Sequence, residues 1–178
     1  MMRAIAFPAI VLAAMSLAVP SPVAAEPTDP LRMIVIDVEG GAATLYITPE
    51  GHSLLIDAGW PTGVGGPRPV PGKPAPVPLN SATRIAAAAR AAGLDRIDYL
   101  VVSHYHVDHV GGVADLLKAI PVGQVIDHGP NREEPPKDAN PAFARFSPAT
   151  LYPAYLKAIE GMEHRVVHAG ERLAIDGL

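Results

Sequence analysis

Arg96-Ile97-Asp98-Tyr99-Leu100-Val101-Val102-Ser103 runs straight into His104-Tyr105-His106-Val107-Asp108-His109 and then Val110-Gly111-Gly112-Val113-Ala114-Asp115-Leu116-Leu117-Lys118-Ala119-Ile120. The first part is short, β-branched and apolar, which predicts a mostly buried strand. The last part places apolar residues at 113, 116, 117 and 120, the spacing of a helix. Between them lie three of the chain's seven histidines. Residues 104, 106 and 108 share parity, so an extended or turning backbone leans their side chains to one side, whereas a helix turns His106 about 200° away from His104. A loop between strand and helix is therefore expected, at the sheet edge where α/β proteins gather ligands. Neutral imidazole and carboxylate are metal donors, and this segment offers more of them than one tetrahedral ion takes, so two adjacent metal sites follow. The plain alternative is a solvated surface turn.

Working outward, the 178 residues carry 49% hydrophobic side chains and a formal charge of −4, which predicts one domain. So mild an acidic balance marks out no nucleic-acid-binding patch and no attraction to an anionic membrane. Residues 1–25 read as a signal peptide: Arg3 supplies the positive start, residues 5–19 the apolar run, and Val23-Ala24-Ala25 the small-residue cleavage site. A retained membrane anchor is the rival, but the run falls short of the ~20 residues needed to span and is broken by Pro8. The expected product is exported, periplasmic or secreted, with no membrane span after signal removal. Cysteine is absent, so neither a disulfide framework nor a lipid-modified cysteine is available, and core or metal must hold the fold.

Residues 26–178 form the predicted domain. Residues 31–38 read as a near-continuous apolar strand, and residues 42–48 and 53–56 flank the turn Pro49-Glu50-Gly51, predicting a β-meander. Asp37 and Asp57 each follow apolar strand residues where the chain turns into glycine. Each is a strand-end carboxylate, with Asp37 a candidate substrate contact, or a turn carboxylate capping backbone N–H groups. Residues 60–79 make a long Pro/Gly-rich loop, since seven prolines and four glycines between 60 and 78 suit neither helix nor ladder. It is expected as an insertion without a catalytic residue; Trp60 and Arg68 are its candidate substrate contacts. A helix over 82–92 is predicted, capped by Asn80 or Ser81 and ended by Gly93. Residues 122–127 form a further strand, parallel to the first because a helix crosses between them. His128 then reaches the same edge as His104, as a substrate contact or as a loop histidine. A helix over 151–159 with Pro153 in its first turn comes next, then a hairpin pairing 163–168 with 171–175 around Ala169-Gly170. His164 and His168 are expected as surface strand residues.

Strand, HxHxDH, Gly-Gly and helix together resemble the metal-binding signature of the metallo-β-lactamase superfamily. Ile36-Asp37-Val38-Glu39-Gly40-Gly41-Ala42-Ala43 and Leu54-Leu55-Ile56-Asp57-Ala58-Gly59 are similar to the branch containing the hydrolase domain of competence-type DNA-uptake proteins. The resemblance implies an α/β fold, the first half of an αββα sandwich with a mixed sheet and flanking helices. It implies that His104 and His106 bind one metal ion and Asp108 and His109 a second, while Asp57 accepts hydrogen bonds from the metal loop. Two zinc ions are the expected cofactor, with iron or manganese as alternatives. The implied chemistry is hydrolysis by a metal-bound hydroxide oriented by catalytic Asp108, on a small-molecule, ester-type substrate: a phosphodiester, a carboxylic ester or lactone, or a lactam. Family members continue into a second half with another histidine, a bridging aspartate and a final histidine, and nothing between 150 and 178 matches those motifs. The chain is therefore expected to be an N-terminal half whose uncovered sheet face invites association. A non-catalytic exported metal-binding or scaffold half-domain is the alternative, and an iron- or manganese-dependent redox or glyoxalase-like role is a third.

Overall fold

The structure, a computed structural model, describes residues 29–66, 69–134 and 140–178. The signal-peptide reading and Arg68 lie outside the described residues. Six strands form one mixed sheet in chain order: β1 (Arg32–Val35), β2 (Thr44–Ile47), β3 (Ser53–Ile56), β4 (Ile97–Val101), β5 (Val122–Asp127) and β6 (Glu163–Val166). The first three pair antiparallel through short turns, as the predicted meander requires. From β3 to β6 all pairs are parallel, because helices carry the chain back between them. These helices are α1 (Ser81–Ala91), α2 (Val107–Val110) with α3 (Val113–Ala119), and α4 (Pro148–Ala158), the last preceded by a 3-10 helix at Pro141–Phe146. Asn80 caps α1 by accepting from the Thr83 N–H at 2.9 Å, and Gly93 ends it at φ +91°.

Paired residues share a sheet face, and Leu45, Leu55, Leu100 and Val125 stand in one register row, all fully buried. They belong to one core with Ile85 and Ala89 of α1, Leu116 of α3, Tyr155 of α4 and Ile159 at its C-cap. The opposite face carries Tyr46, Leu54, Ile56, Tyr99, Val101 and Ile126, by alternation along the same registers. At its edge Met33 and Val35 are 61% and 73% exposed. The segment after β6 returns to the turn between β2 and β3, where Gly177 packs so closely on Thr48 and Glu50 that a Cβ would collide with the Glu50 carboxylate.

Four local expectations are corrected. The apolar run 31–38 pairs only over β1, an edge strand, while Ile36 and Val38 beyond it are the buried residues. Asp108 and His109 lie on the helical turn α2 rather than in a loop, with His106 as its N-cap residue. Helix α4 begins at Pro148, whose missing N–H has no role at the first helical position, so Pro153 falls in the second turn and deprives Ala149 of its helical donor. The hairpin does not form: β6 takes the open parallel edge of β5, the Val167 N–H extends that ladder to the Asp127 carbonyl at 2.8 Å, and residues 171–175 form no strand. A free ladder beside a freshly delivered strand outweighs a weak local turn.

Candidate metal centre

The four parallel strands β3 to β6 end on one side, and the polar residues of the motif gather there. Beyond β4 the strict alternation gives way to a turn: Val102 and Tyr105, three residues apart, are buried, while Ser103 and His106 are exposed and His104 is partly so. Tyr105 anchors the turn from inside, donating its hydroxyl to the Gly129 carbonyl at 2.6 Å and packing on the rings of Tyr152 and Tyr155. Burial first, then the charge of Asp127, pushes its phenol pKa up, so the donor stays protonated. Backbone bonds clamp the end of β4 and the histidine segment after it to the chain beyond β3: Asp57 N–H to Val101 O at 2.8 Å, Ala58 N–H to His109 O at 2.8 Å and Gly112 N–H to Gly59 O at 2.9 Å. The approach is so close that a Cβ on Gly112 would strike the Ala58 carbonyl, and one on Gly111 the Val107 carbonyl. The Gly-Gly pair after the histidines is thus a packing requirement.

Asp57 organises one side of the site from an unusual backbone. Its φ is +62°, a region Asp tolerates better than most residues, and it is 3% exposed. Its carboxylate accepts from the Ser103 N–H at 2.8 Å, the Ser103 hydroxyl at 2.7 Å and His109 Nδ1 at 2.7 Å. An ionised carboxylate only accepts, so His109 carries a proton on Nδ1, and its Nε2 lies 3.7 Å from Asp108 Oδ2.

The other two tautomers follow from the same bookkeeping of protons. Ser103 has one hydroxyl proton, given to Asp57, so its 3.0 Å contact with His104 Nδ1 uses the imidazole's N–H. His106 Nε2 lies 3.0 Å from Glu133 Oε2 and carries the proton there. With His106 neutral, His104 Nε2 and His106 Nδ1 face each other at 3.1 Å with a lone pair each. Either a proton or a metal cation between the two nitrogens satisfies both. Tetrahedral zinc, with bonds of about 2.0–2.1 Å to imidazole nitrogen, sets its ligands about 3.3 Å apart, so the spacing and donor chemistry fit. Burial, His109 and then His106 lower the pKa of His104, with Asp57 and Asp108 opposing. Rings of His104 and His109 lie 3.9 Å apart, so the two donor pairs adjoin. Each remains a pair: among the described residues no three His, Cys, Asp or Glu side chains converge on one ion.

The remaining candidates fall elsewhere. Asp37 is exposed, accepts from the Glu39 N–H at 3.0 Å and pairs with Arg84 at 3.4 Å. His128 sits exposed at the carboxyl end of β5, its ring 4.9 Å from that of Tyr105. Trp60 packs on Gly41 and Gly65, and its buried indole N–H has no hydrogen-bond partner among the described residues. His168 is exposed, whereas His164 donates from Nε2 to Asp127 at 2.9 Å.

Two residues escaped the sequence reading. Glu133 has no motif spacing to announce it, although the topology that brings His128 to this edge extends to the loop six residues beyond β5. Asp127, 1% exposed, accepts from Tyr155 at 2.7 Å, His164 at 2.9 Å and the Gly129 N–H at 2.7 Å. A carboxylate closing a buried strand was its signal. Burial, and then the bond to Asp127, push the Tyr155 pKa up.

Among solved structures, the chain is 29% identical to a mutant metallo-beta-lactamase with the HARLDQ motif from Cronobacter sakazakii over 53% of its length and 30% of that chain, with a TM-score of 0.37. A second Cronobacter sakazakii structure of the same motif is 27% identical at the same coverage and TM-score. A subclass B3 metallo-beta-lactamase from a soil metagenome library is 22% identical, covering 81% of this chain and 46% of that one, with a TM-score of 0.49. The chain thus spans a third to a half of the solved proteins it matches. No curated protein matches it. The family model described as metallo-beta-lactamase superfamily matches residues 37–172, a level above the competence-type branch. With that match covering most of the sequence and the mixed sheet with its flanking helices in place, the chain belongs to the metallo-beta-lactamase superfamily.

Proposed function

We propose that the chain is the metal-binding part of an exported, metal-dependent hydrolase of ester-type substrates. The observation that carries this reading is the 3.1 Å approach of His104 Nε2 to His106 Nδ1, a spacing that fits two ligands of one zinc ion. Zinc is the ion these donors suit best, held by His104 with His106 and, beside it, by Asp108 with His109; iron or manganese suits the same atoms. A divalent ion bound there supplies Lewis acidity toward the substrate oxygen and toward water. The chain's own residues do the rest. Asp57 and Glu133 hold the imidazole protons away from the metal side, and Asp108 orients the attacking water by accepting its hydrogen bond. Water oxygen bonds to the acyl carbon, the carbon–oxygen ester bond breaks, and the released oxygen takes up the proton. His128 and Asp37 are the candidate contacts to substrate farther out.

A second reading, a non-catalytic metal-binding or scaffold module, is favoured by the two-donor character of each pair. Elemental analysis of the purified chain after zinc loading, run beside hydrolysis of 4-nitrophenyl acetate, bis(4-nitrophenyl) phosphate and nitrocefin, separates them. About two ions per chain with turnover of one substrate, both lost in a His106→Ala/Asp108→Ala double variant, supports the hydrolase. Bound zinc without turnover supports the scaffold, and no bound zinc overturns both. Export is supported by the leader-like composition of residues 1–25 and is tested by fractionation of cells expressing the chain. Among the described residues no helix is long and apolar enough to cross a membrane.

A further inference from the structure

The helical turn α2 carries both Asp108 and His109, and at four residues it is too short to hold itself, so its place is set by what packs on it. Two bonds from outside fix it. The Ala58 N–H holds the His109 carbonyl, and the Ala42 N–H holds the Asp108 carbonyl at 3.0 Å. In a longer helix the Gly112 N–H would serve Asp108, but here it goes to the Gly59 carbonyl. The orientation of Asp108 is therefore handed to the loop that carries Ala42. That loop is pliable: Glu39 at φ +58° and Gly40 at φ +88° both stand in the left-handed region, and Gly41 follows.

Trp60 stands behind this loop. A Cβ built on Gly41 would lie 3.1 Å from Trp60 Cδ1 and Nε1 and 2.6 Å from the Asp108 carbonyl oxygen, so Gly41 is wedged between indole and carbonyl. A Cβ on Gly65 would strike Trp60 Cγ, Cδ1 and Cδ2, so a second backbone segment presses on the ring. The main chain is anchored as well. The Trp60 N–H donates to the hydroxyl oxygen of buried Ser81 at 3.0 Å, its carbonyl lies against Gly112, and Thr62 donates its hydroxyl to Asp115 at 2.6 Å. With its backbone tied to α1 and α3 and its ring held between Gly41 and Gly65, the indole is a fixed wall. We propose that Trp60 is a positioning residue for Asp108: the indole braces the Gly41–Ala42 backbone against the Asp108 carbonyl and so sets where the Asp108 carboxylate stands beside His109. Its effect on metal rests on the metal-binding reading above, whereas the bracing itself needs no metal.

Amide hydrogen exchange, followed by NMR on the metal-free chain, reads the bracing directly through Ala42. Trp60→Ala should speed exchange of the Ala42 amide about tenfold, because opening of the loop breaks its bond to Asp108. The Val102 amide, bonded to the Ile126 carbonyl at 2.8 Å, should stay within about twofold of the parent. Trp60→Phe keeps Cγ, Cδ1 and Cδ2 and should hold Ala42 within about threefold of the parent. Trp60→Leu, apolar but without a flat ring, carries the same expectation as Trp60→Ala should the alanine variant unfold. In competition with a chromophoric chelator, Trp60→Ala should weaken zinc binding about tenfold; in an Asp108→Ala background it should cost less than about twofold more, since the loss passes through Asp108. Unchanged Ala42 exchange in the alanine and leucine variants, equal acceleration at Val102, or additive zinc losses would overturn the proposal. A parent protein that binds no zinc would sink the metal-binding reading alone, with the exchange result still deciding the bracing.

Discussion

Replacing Asp57 tests whether a single buried carboxylate holds both the fold and the proton positions of the site. Its three hydrogen bonds, at 2.7 to 2.8 Å, go to two donors on Ser103 and one on His109. Bonds to a charged partner contribute about 1.5–3 kcal/mol each. The Ser103 hydroxyl can turn elsewhere, so Asp57→Ala strands two N–H groups, and it also places alanine at φ +62°, for a loss of about 4–7 kcal/mol. That rivals the whole stability of a typical domain, about 5–15 kcal/mol, and a failure to fold would be uninformative. Asp57→Asn is the sharper probe. Asparagine has the same shape and accepts the left-handed backbone, but one of its two terminal atoms now donates. With its oxygen on the Ser103 N–H, its amide faces His109 Nδ1 and drives the imidazole proton to Nε2, the atom that faces Asp108. The expected loss is about 2–3 kcal/mol in urea unfolding followed by Trp60 fluorescence. Zinc affinity should fall about 10- to 100-fold in competition with a chromophoric chelator, and nitrogen NMR of the His109 ring should report the changed tautomer. An Asp57→Asn protein within about 0.5 kcal/mol of the parent, binding metal with unchanged affinity, would refute the proton assignment.

Three other substitutions probe separate physics. Gly112→Ala forces a Cβ into the Ala58 carbonyl, a backbone group that cannot yield, and should destabilise by about 2–4 kcal/mol in the same urea assay. Pro153→Ala returns a helical donor to the Ala149 carbonyl and should stabilise α4 by about 1–3 kcal/mol, raising Tm by several degrees in a circular dichroism melt. The Thr62 hydroxyl, followed by Lys118, holds the Asp115 carboxyl below its ordinary pKa. A lowered folded pKa adds stability above the unfolded value, about 4, that fades as pH falls through the folded one. The wild-type advantage over Asp115→Asn, under about 1 kcal/mol because the group is a third exposed, should therefore shrink as pH falls below the ordinary carboxylate range in acid-range urea titrations.

The legible parts of the fold were those where local pattern and long-range packing agree. Short turns made the meander, α1 carried its own cap at Asn80, and the apolar spacing after His109 matched α3. The donor-rich segment was legible because its residues lie within six positions of one another. What escaped depends on partners distant in sequence. Residues 163–166 choose β5 over a nearby turn only because α4 lays them against an open parallel edge. Glu133 meets His106 across 27 residues of chain, and the proton positions it enforces exist only once the loops are folded. Asp127 looked like the ordinary end of a strand, and its three donors arrive from three different segments.

Tyr105 stands between two outward-facing histidines and is itself 1% exposed, bonded to Gly129 and stacked on the aromatic side chains of α4. Neighbouring positions in one short stretch thus answer to opposite demands, outward-turned imidazoles at 104 and 106 and interior cohesion at the residue between them. An insertion or deletion of one residue here would exchange the two roles, turning imidazoles into the interior and a phenol out to water. Sequence drift can therefore alter what flanks this stretch far more freely than it can alter its count.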